Sequence, residues 1–201
     1  PEGQVEWFDA PNNPENPDLG SRKVPFSREI YIEQDDYMEN PPKGYFRLFP
    51  GNEVRLRNAY FVKCQEAVKD ENGNIIELHC TYDPETRGGN APDGRKVKGT
   101  IHWVSIEHAV KAEVRLYDRL MLPEEEQKPD VEDWKENLNP NSIEILENCY
   151  IEPFIDGAKH EDKFQFIRNG YFTVDNKYTT KDKLVINRIV AMKDTWKKKN
   201  K

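Results

Sequence analysis

Two arginines separated by a single leucine, Arg55 and Arg57, are the residues of this sequence best shaped to hold a ligand. They lie in the run Gly51-Asn52-Glu53-Val54-Arg55-Leu56-Arg57-Asn58-Ala59-Tyr60, where apolar and polar side chains alternate. Successive strand side chains point to opposite faces, so a strand here puts both guanidinium groups on one face and turns Val54 and Leu56 to the other. A guanidinium offers its N–H donors in a planar fork, which fits a phosphate or the acceptor edge of a base through paired hydrogen bonds. The bland alternative is a solvated strand face.

Other cations and amides extend the pattern. Lys63 shares the parity of Arg55 and Arg57, Arg47 precedes the Pro50-Gly51 turn that feeds the run, and Arg95, Lys96 and Lys98 open another alternating stretch. In Phe164-Gln165-Phe166-Ile167-Arg168, Gln165 and Ile167 should share a face opposite Phe166 and Arg168, with the phenylalanines read as core. A glutamine amide donates and accepts, as a base edge requires, and aromatic rings are platforms for unpaired bases. Catalytic equipment is missing by comparison. Asp35-Asp36 is an acid pair in a turn, and Gly88-Gly89 lies between strands rather than between a strand and a helix. His79, His102, His108, Cys64 and Cys80 lack the spacing of a metal site, and no nucleophile has a recognisable base.

Composition narrows the class. Of 201 residues, 36% are hydrophobic and 33% charged, yet 9 Tyr, 9 Phe and 4 Trp supply the bulky anchors of a folded core. The net charge of -7 and pI near 5.3 exclude binding through a diffuse basic field, so any nucleic-acid site has to be a local basic patch on an acidic body. Three cysteines without a close pair in sequence support neither a disulfide framework nor a zinc site, which suits a reducing cytoplasm. No stretch is apolar for the eighteen or so residues that a membrane helix needs. The sequence begins Pro1-Glu2-Gly3 without methionine, as a fragment of something longer would.

The elements that must position these residues are short strands. Prolines at 11, 14, 17 and 25 keep the first section extended and loop-rich, and Glu29-Ile30-Tyr31-Ile32-Glu33 reads as a strand before a turn at 35–38. Alternation continues over 58–69. Asn72-Gly73 then predicts a hairpin whose two central residues both take positive φ. Lys96 to Trp103 and Glu113 to Tyr117 read as further strands, with Ser105 as the cap of a single turn between them. An acidic linker over 122–136 ends in a short helix, and strands resume at 142–145, 149–151, 164–167, 170–174 and 184–192. The basic tail 197–201 is expected to be mobile.

The words Arg22-Lys23-Val24-Pro25-Phe26-Ser27-Arg28-Glu29-Ile30, Gly51 through Tyr60, Cys80-Thr81-Tyr82-Asp83, Asp93-Gly94-Arg95-Lys96-Val97-Lys98-Gly99, Ile101-His102-Trp103-Val104-Ser105 and Arg115-Leu116-Tyr117-Asp118-Arg119-Leu120 closely resemble bacterial glutaminyl-tRNA synthetase. The likeness runs on through Phe164-Gln165-Phe166, Gly170-Tyr171-Phe172 and Asn187-Arg188 to Asp194-Thr195-Trp196. It implies the C-terminal anticodon-binding region of a class I aminoacyl-tRNA synthetase. The implied fold is mainly all-β: two antiparallel β-barrels, the distal one inserted in the proximal one, with a few short helices. Residues 1–44 and 121–201 would form the proximal barrel and 45–120 the distal one. A catalytic Rossmann domain would precede Pro1.

The resemblance places Arg55 and Arg57 near the first anticodon base, Arg47 and Arg168 near the third, and Gln165 at the middle uridine. Asn58, Lys63, Arg95, Lys96 and Lys98 are further candidates for RNA contact. The expected partners are glutamine tRNA and the chain's own catalytic domain, in a cytoplasmic monomer. No cofactor is expected in this fragment; ATP and Mg would serve the full-length enzyme. Four positions depart from the family pattern: Ile167 stands in place of a glutamate near the middle base, Gly44 and Phe46 replace polar residues, and Glu15 occupies a loop position often held by asparagine. The related glutamyl-tRNA synthetases of eukaryotes and archaea are the alternative of the same kind. A β-barrel protein-interaction module without RNA binding is the alternative of another.

Overall fold

The computed structural model describes residues 3–192, so the basic tail and Asp194-Thr195-Trp196 lie outside the described residues. The chain is mainly β, as expected, with strands linked by 3-10 turns. It divides into two compact units, Pro1–Ala109 with Glu152–Phe154, and Val110–Ile151 with Ile155–Lys201. Contacts thus group residues 1–44 with 45–109 rather than with 121–201. The cause is one shared core: Phe8, Ala10 and Val24 are buried with Leu48, Val54, Leu56, Ile101 and Trp103.

In the first unit, β1 (Glu6–Pro11) pairs with β2 (Ser21–Phe26), and β3 (Ile30–Ile32) pairs with β8 (Trp103–Ser105). A four-stranded sheet runs in the order β6 (Ile75–Asp83), β5 (Phe61–Lys69), β4 (Glu53–Leu56), β7 (Thr100–Ile101). In the second unit a five-stranded sheet runs β10 (Ile143–Ile151), β9 (Val110–Tyr117), β13 (Leu184–Ala191), β12 (Gly170–Val174), β11 (Lys163–Phe166). Both hydrogen-bonded sheets end in open edges, so neither closes into the barrel that was expected. In the first, the two residues of β7 are too short to carry the ladder onward.

Alternation does place Val54 and Leu56 in the core, at 0% and 1% exposed, with Arg55 and Arg57 kept out of it. The strand nevertheless ends at Leu56 instead of running on to Lys69. Asn58 takes φ 61 and reverses the chain, with Ala59 N–H bonded to Leu56 O at 3.0 Å and Leu56 N–H to Tyr60 O at 2.8 Å. Asparagine is among the few L-residues that tolerate this left-handed conformation. The returning strand sets Phe61 opposite Arg55 and Lys63 opposite Glu53, so Lys63 shares the face of Arg55 across the hairpin rather than along one strand. Asn58→Ala is expected to cost about 1 kcal/mol of stability, read as a lower urea midpoint with an unchanged slope.

On its other edge β4 pairs in parallel with β7. Arg55 N–H donates to Gly99 O at 2.9 Å and Arg57 N–H to Ile101 O at 3.0 Å, which fixes both arginine backbones on one rail. The strand expected from Lys96 begins only at Thr100 because Gly99 passes hard against another backbone: a Cβ there would lie 1.9 Å from Phe46 O. The Asn72-Gly73 hairpin forms, but only Gly73 takes positive φ. Asp70 Oδ1 accepts the N–H groups of Asn72 and Asn74, which makes a longer turn than the two-residue one. Ser105 caps no helix; its hydroxyl bonds Ser27 Oγ at 2.7 Å.

The second unit is built around Ala112, Val114, Ile155, Phe172 and Ile186, with Phe164 and Phe166 packed against them. Phe166 stacks on Phe172 with ring centroids 4.4 Å apart, which makes these phenylalanines core residues as read from sequence. A bulge between Leu146 and Cys149 joins two expected strands into β10. Among the described residues, no helix is long and apolar enough to cross a membrane.

Candidate nucleic-acid interface

Glu53, Arg55, Phe61 and Lys63 occupy one face of the β4–β5 hairpin. Phe61 is its fixed floor, 0% exposed, with its N–H held by Thr86 Oγ1 at 2.8 Å. The Arg55 guanidinium lies over this ring with its carbon 5.2 Å from the centroid, an arrangement in which a cation is attracted to the π face. Its stem rests against Gly89, where a Cβ would come within 3.1 Å of Arg55 Cδ. Arg55 Nε is buried without a hydrogen-bond partner, one of two such side-chain atoms among the described residues. Beyond it opens a cleft of about 400 Å³, lined also by Asn90, Gly94, Arg95 and Lys96. A buried donor left unsatisfied next to an open cleft is a cost to the protein alone that a ligand acceptor can offset.

Arg95 sits over the same ring at 5.3 Å but is in a different state. It is ion-paired with Glu53 at 3.0 Å, with Asp93 at 2.7 Å and with Asp83. The hydrogen bonds it donates to Glu53, Asp83 and Asp93 raise its pKa, and the same residue's bonds hold both aspartates below the usual carboxylate range. Arg95 is therefore scaffold: three carboxylates neutralise it and tie the loop to the strand. Lys96 stays exposed at the cleft, whereas Lys98 lies over the Phe46 ring at 4.9 Å.

Arg57 and Asn58 line a second, narrow cleft with Val24, His102, Trp103 and Glu152. The Arg57 carbonyl accepts Trp103 Nε1–H at 3.0 Å, which anchors its backbone. Its guanidinium makes no hydrogen bond or ion pair with the described residues, and burial followed by the neighbouring Arg22 pulls its pKa down against the pull of Glu152. Glu152 itself is taken: Arg22 binds it with two hydrogen bonds, at 2.5 and 3.0 Å, and His102 Nε2 with a third at 2.8 Å. Burial pushes its carboxyl up, but the bonds from His102 and Arg22 outweigh this and hold it down at about 2. A half-buried arginine beside a second arginine, facing a carboxylate already satisfied, makes the cleft mouth electropositive.

Arg47 folds onto the turn that precedes it, with Nε 3.4 Å from the fully buried Asp36 carboxylate and Nη1 donating to Asp35 O at 3.1 Å. Asn52 holds the Arg47 carbonyl at 2.9 Å. In the second unit, Gln165 points outward from the edge strand β11, its amide 3.5 Å from Met192 Sδ and its cross-strand neighbour the exposed Tyr171. The strand stops at Phe166, so Ile167 and Arg168 belong to the following turn instead of continuing the alternation. Arg168 takes φ 70 there. Sequence reasoning did not single out Arg22 and Glu152 as site residues. They are 130 positions apart, and only the fold brings them together.

Two stretches match one family description, the anticodon-binding domain of the class I (E and Q) tRNA synthetases: residues 1–83 and residues 100–175. Among curated relatives, the glutamine--tRNA ligase of Clostridioides difficile is 55% identical over 201 residues, that of Clostridium perfringens 54% over 199, and that of Clostridium kluyveri 53% over 197. The matches cover 98–99% of this chain. The chain spans only 35–36% of the length of these relatives.

Proposed function

This chain belongs to the anticodon-binding domains of the class I (E and Q) tRNA synthetases, and from that membership we propose that it reads the anticodon loop of glutamine tRNA. In the first unit, Arg55 and Arg57 take the first anticodon base, a pyrimidine in glutamine anticodons, whose carbonyl oxygens accept from a guanidinium. Arg47 takes the third base, a guanine, whose O6 and N7 accept a bidentate arginine. From the second unit, Gln165 meets the middle uridine with its amide and Arg168 stands by the third base. Lys63 and Lys96, with Asn58, supply backbone contacts around the two clefts. ATP-dependent joining of glutamine to the tRNA is then the work of the remaining two thirds of such an enzyme.

One observation carries the reading: among the described residues the guanidinium groups of Arg55 and Arg57, two residues apart on a fixed backbone rail, make no hydrogen bond or ion pair, Arg55 only lying over the Phe61 ring, while nearby Arg95 is paired three times over. Arg47 differs from them: to take the third base it exchanges its contact with the buried Asp36 carboxylate. The names of the relatives favour glutamine over glutamate specificity.

The test is a titration of the chain with anticodon stem-loops varied one base at a time, at two salt concentrations. A glutamine stem-loop should bind with affinity that falls as salt rises, and a third-base change from G to C should cost about 1–3 kcal/mol. Preference for C at that base would mark the glutamyl type. Binding absent at both salt concentrations would leave the chain as a protein-interaction module.

A further inference from the structure

Cys64 and Cys80, far apart in sequence, face each other directly across the β5–β6 ladder. Both backbone groups of Cys64 turn away from β6: its carbonyl accepts Gly51 N–H at 2.9 Å, and its own N–H donates to Asn52 O at 3.3 Å. The pair is therefore of the non-hydrogen-bonded kind, in which α-carbons approach to roughly 4.5 Å. That separation falls at the near end of the roughly 4.4–6.8 Å across which disulfides close. The two thiols are near enough to perturb each other's protonation, and the buried Tyr37 hydroxyl, which has no hydrogen-bond partner, lies in the field of both. Cys64 is buried, Cys80 is exposed on the edge strand, and Cys149 belongs to the other unit.

We propose that Cys64 and Cys80 form an intramolecular dithiol site that a small-molecule disulfide of the glutathione type converts to a cross-strand disulfide. The exposure difference fixes the order of events. The Cys80 thiolate attacks one sulfur of the oxidant, whose S–S bond breaks and releases one glutathione thiolate. Cys64 then loses its proton, and its sulfur attacks the Cys80 sulfur of the mixed disulfide, expelling the second glutathione. Two protein thiols are oxidised by two electrons and one glutathione disulfide becomes two glutathiones. Cys80 is exposed as a residue of the edge strand, but its thiol lies against Cys64; that local burial, and then Cys64 itself, push the thiol up to about 12, so closure is slow at neutral pH. Its rate climbs roughly tenfold per pH unit as the thiolate fraction grows.

The chain is incubated with excess glutathione disulfide at a series of pH values rising from about 8 to about 10, along which the thiolate fraction grows, then acid-quenched, alkylated and mapped by peptide mass spectrometry. The wild type and Cys149→Ser should yield a Cys64–Cys80 linked peptide with no glutathione left on either residue. Cys64→Ser should instead retain glutathione on Cys80, since the resolving thiol is gone. Should Cys64→Ser fail to fold by circular dichroism, Cys80→Ser replaces it, and there Cys64 should stay reduced. Stable glutathione on Cys80 of the wild type, linkage to Cys149, or no reaction at either cysteine overturns the proposal.

Discussion

Glu152→Ala lowers the folding stability of the chain by about 3–5 kcal/mol, the cost of breaking a buried ion pair by removing one partner. The carboxylate is 13% exposed and accepts all three hydrogen bonds of the Arg22–Glu152–His102 cluster. Its loss leaves the Arg22 guanidinium, 14% exposed, without a counter-charge beside Arg57. The same residue sets an acid limb. Its folded pKa is depressed to about 2 from 4.5, so its stabilisation is fully present above pH 4.5 and is lost as the pH falls through 2. That window is worth about 3 kcal/mol. Urea unfolding at neutral pH and through the acid range reads both effects: the wild type should weaken steadily below pH 4.5, and the variant should start lower and lack that slope. A variant as stable as the wild type at neutral pH would falsify the assignment of Glu152 as the anchor of this cluster.

Arg55→Ala should weaken binding of a glutamine anticodon stem-loop by about 1–3 kcal/mol, roughly a 5- to 150-fold rise in Kd, and relax selectivity at the first base. Folding should change little. The guanidinium makes no hydrogen bond or ion pair with the described residues, and removing it also removes the orphaned Nε. What is lost structurally is its contact with the Phe61 ring, worth about 0.5–1 kcal/mol at a partly open site. Arg95→Ala should behave in the opposite way, lowering stability by leaving Glu53, Asp83 and Asp93 facing one another. Fluorescence titration paired with urea unfolding separates the two. A loss for Arg55→Ala that is equal for every first base would instead identify a phosphate contact.

Much of this was legible in the sequence, because period-two alternation is a local property. It placed Val54 and Leu56 inside, Arg55 and Arg57 outside, and Phe164 and Phe166 in the core of the second unit. The illegible parts depend on partners distant in the chain. Nothing local to Arg95 shows that Glu53 and Asp83 will claim it, and nothing local to Cys64 shows that Cys80 will stand opposite. The reversal at Asn58 was missed because alternation persists on both sides of it, so the pattern looks continuous where the backbone turns. The shared core that joins residues 1–44 to 45–109 was hidden for a related reason: proline-rich punctuation marks breaks in regular structure but says nothing of which side chains are buried together.

The rail beneath the two arginines has a kinetic consequence. The Arg55–Gly99 and Arg57–Ile101 contacts join segments on opposite sides of the whole β5–β6 hairpin, and parallel ladders of high contact order form slowly. Refolding chains should therefore gain compactness and hairpin structure before β7 docks. Stopped-flow measurements would show far-ultraviolet circular dichroism settling first, with the fluorescence of Trp103, whose indole bonds the Arg57 carbonyl, and competence to capture RNA following as a later phase.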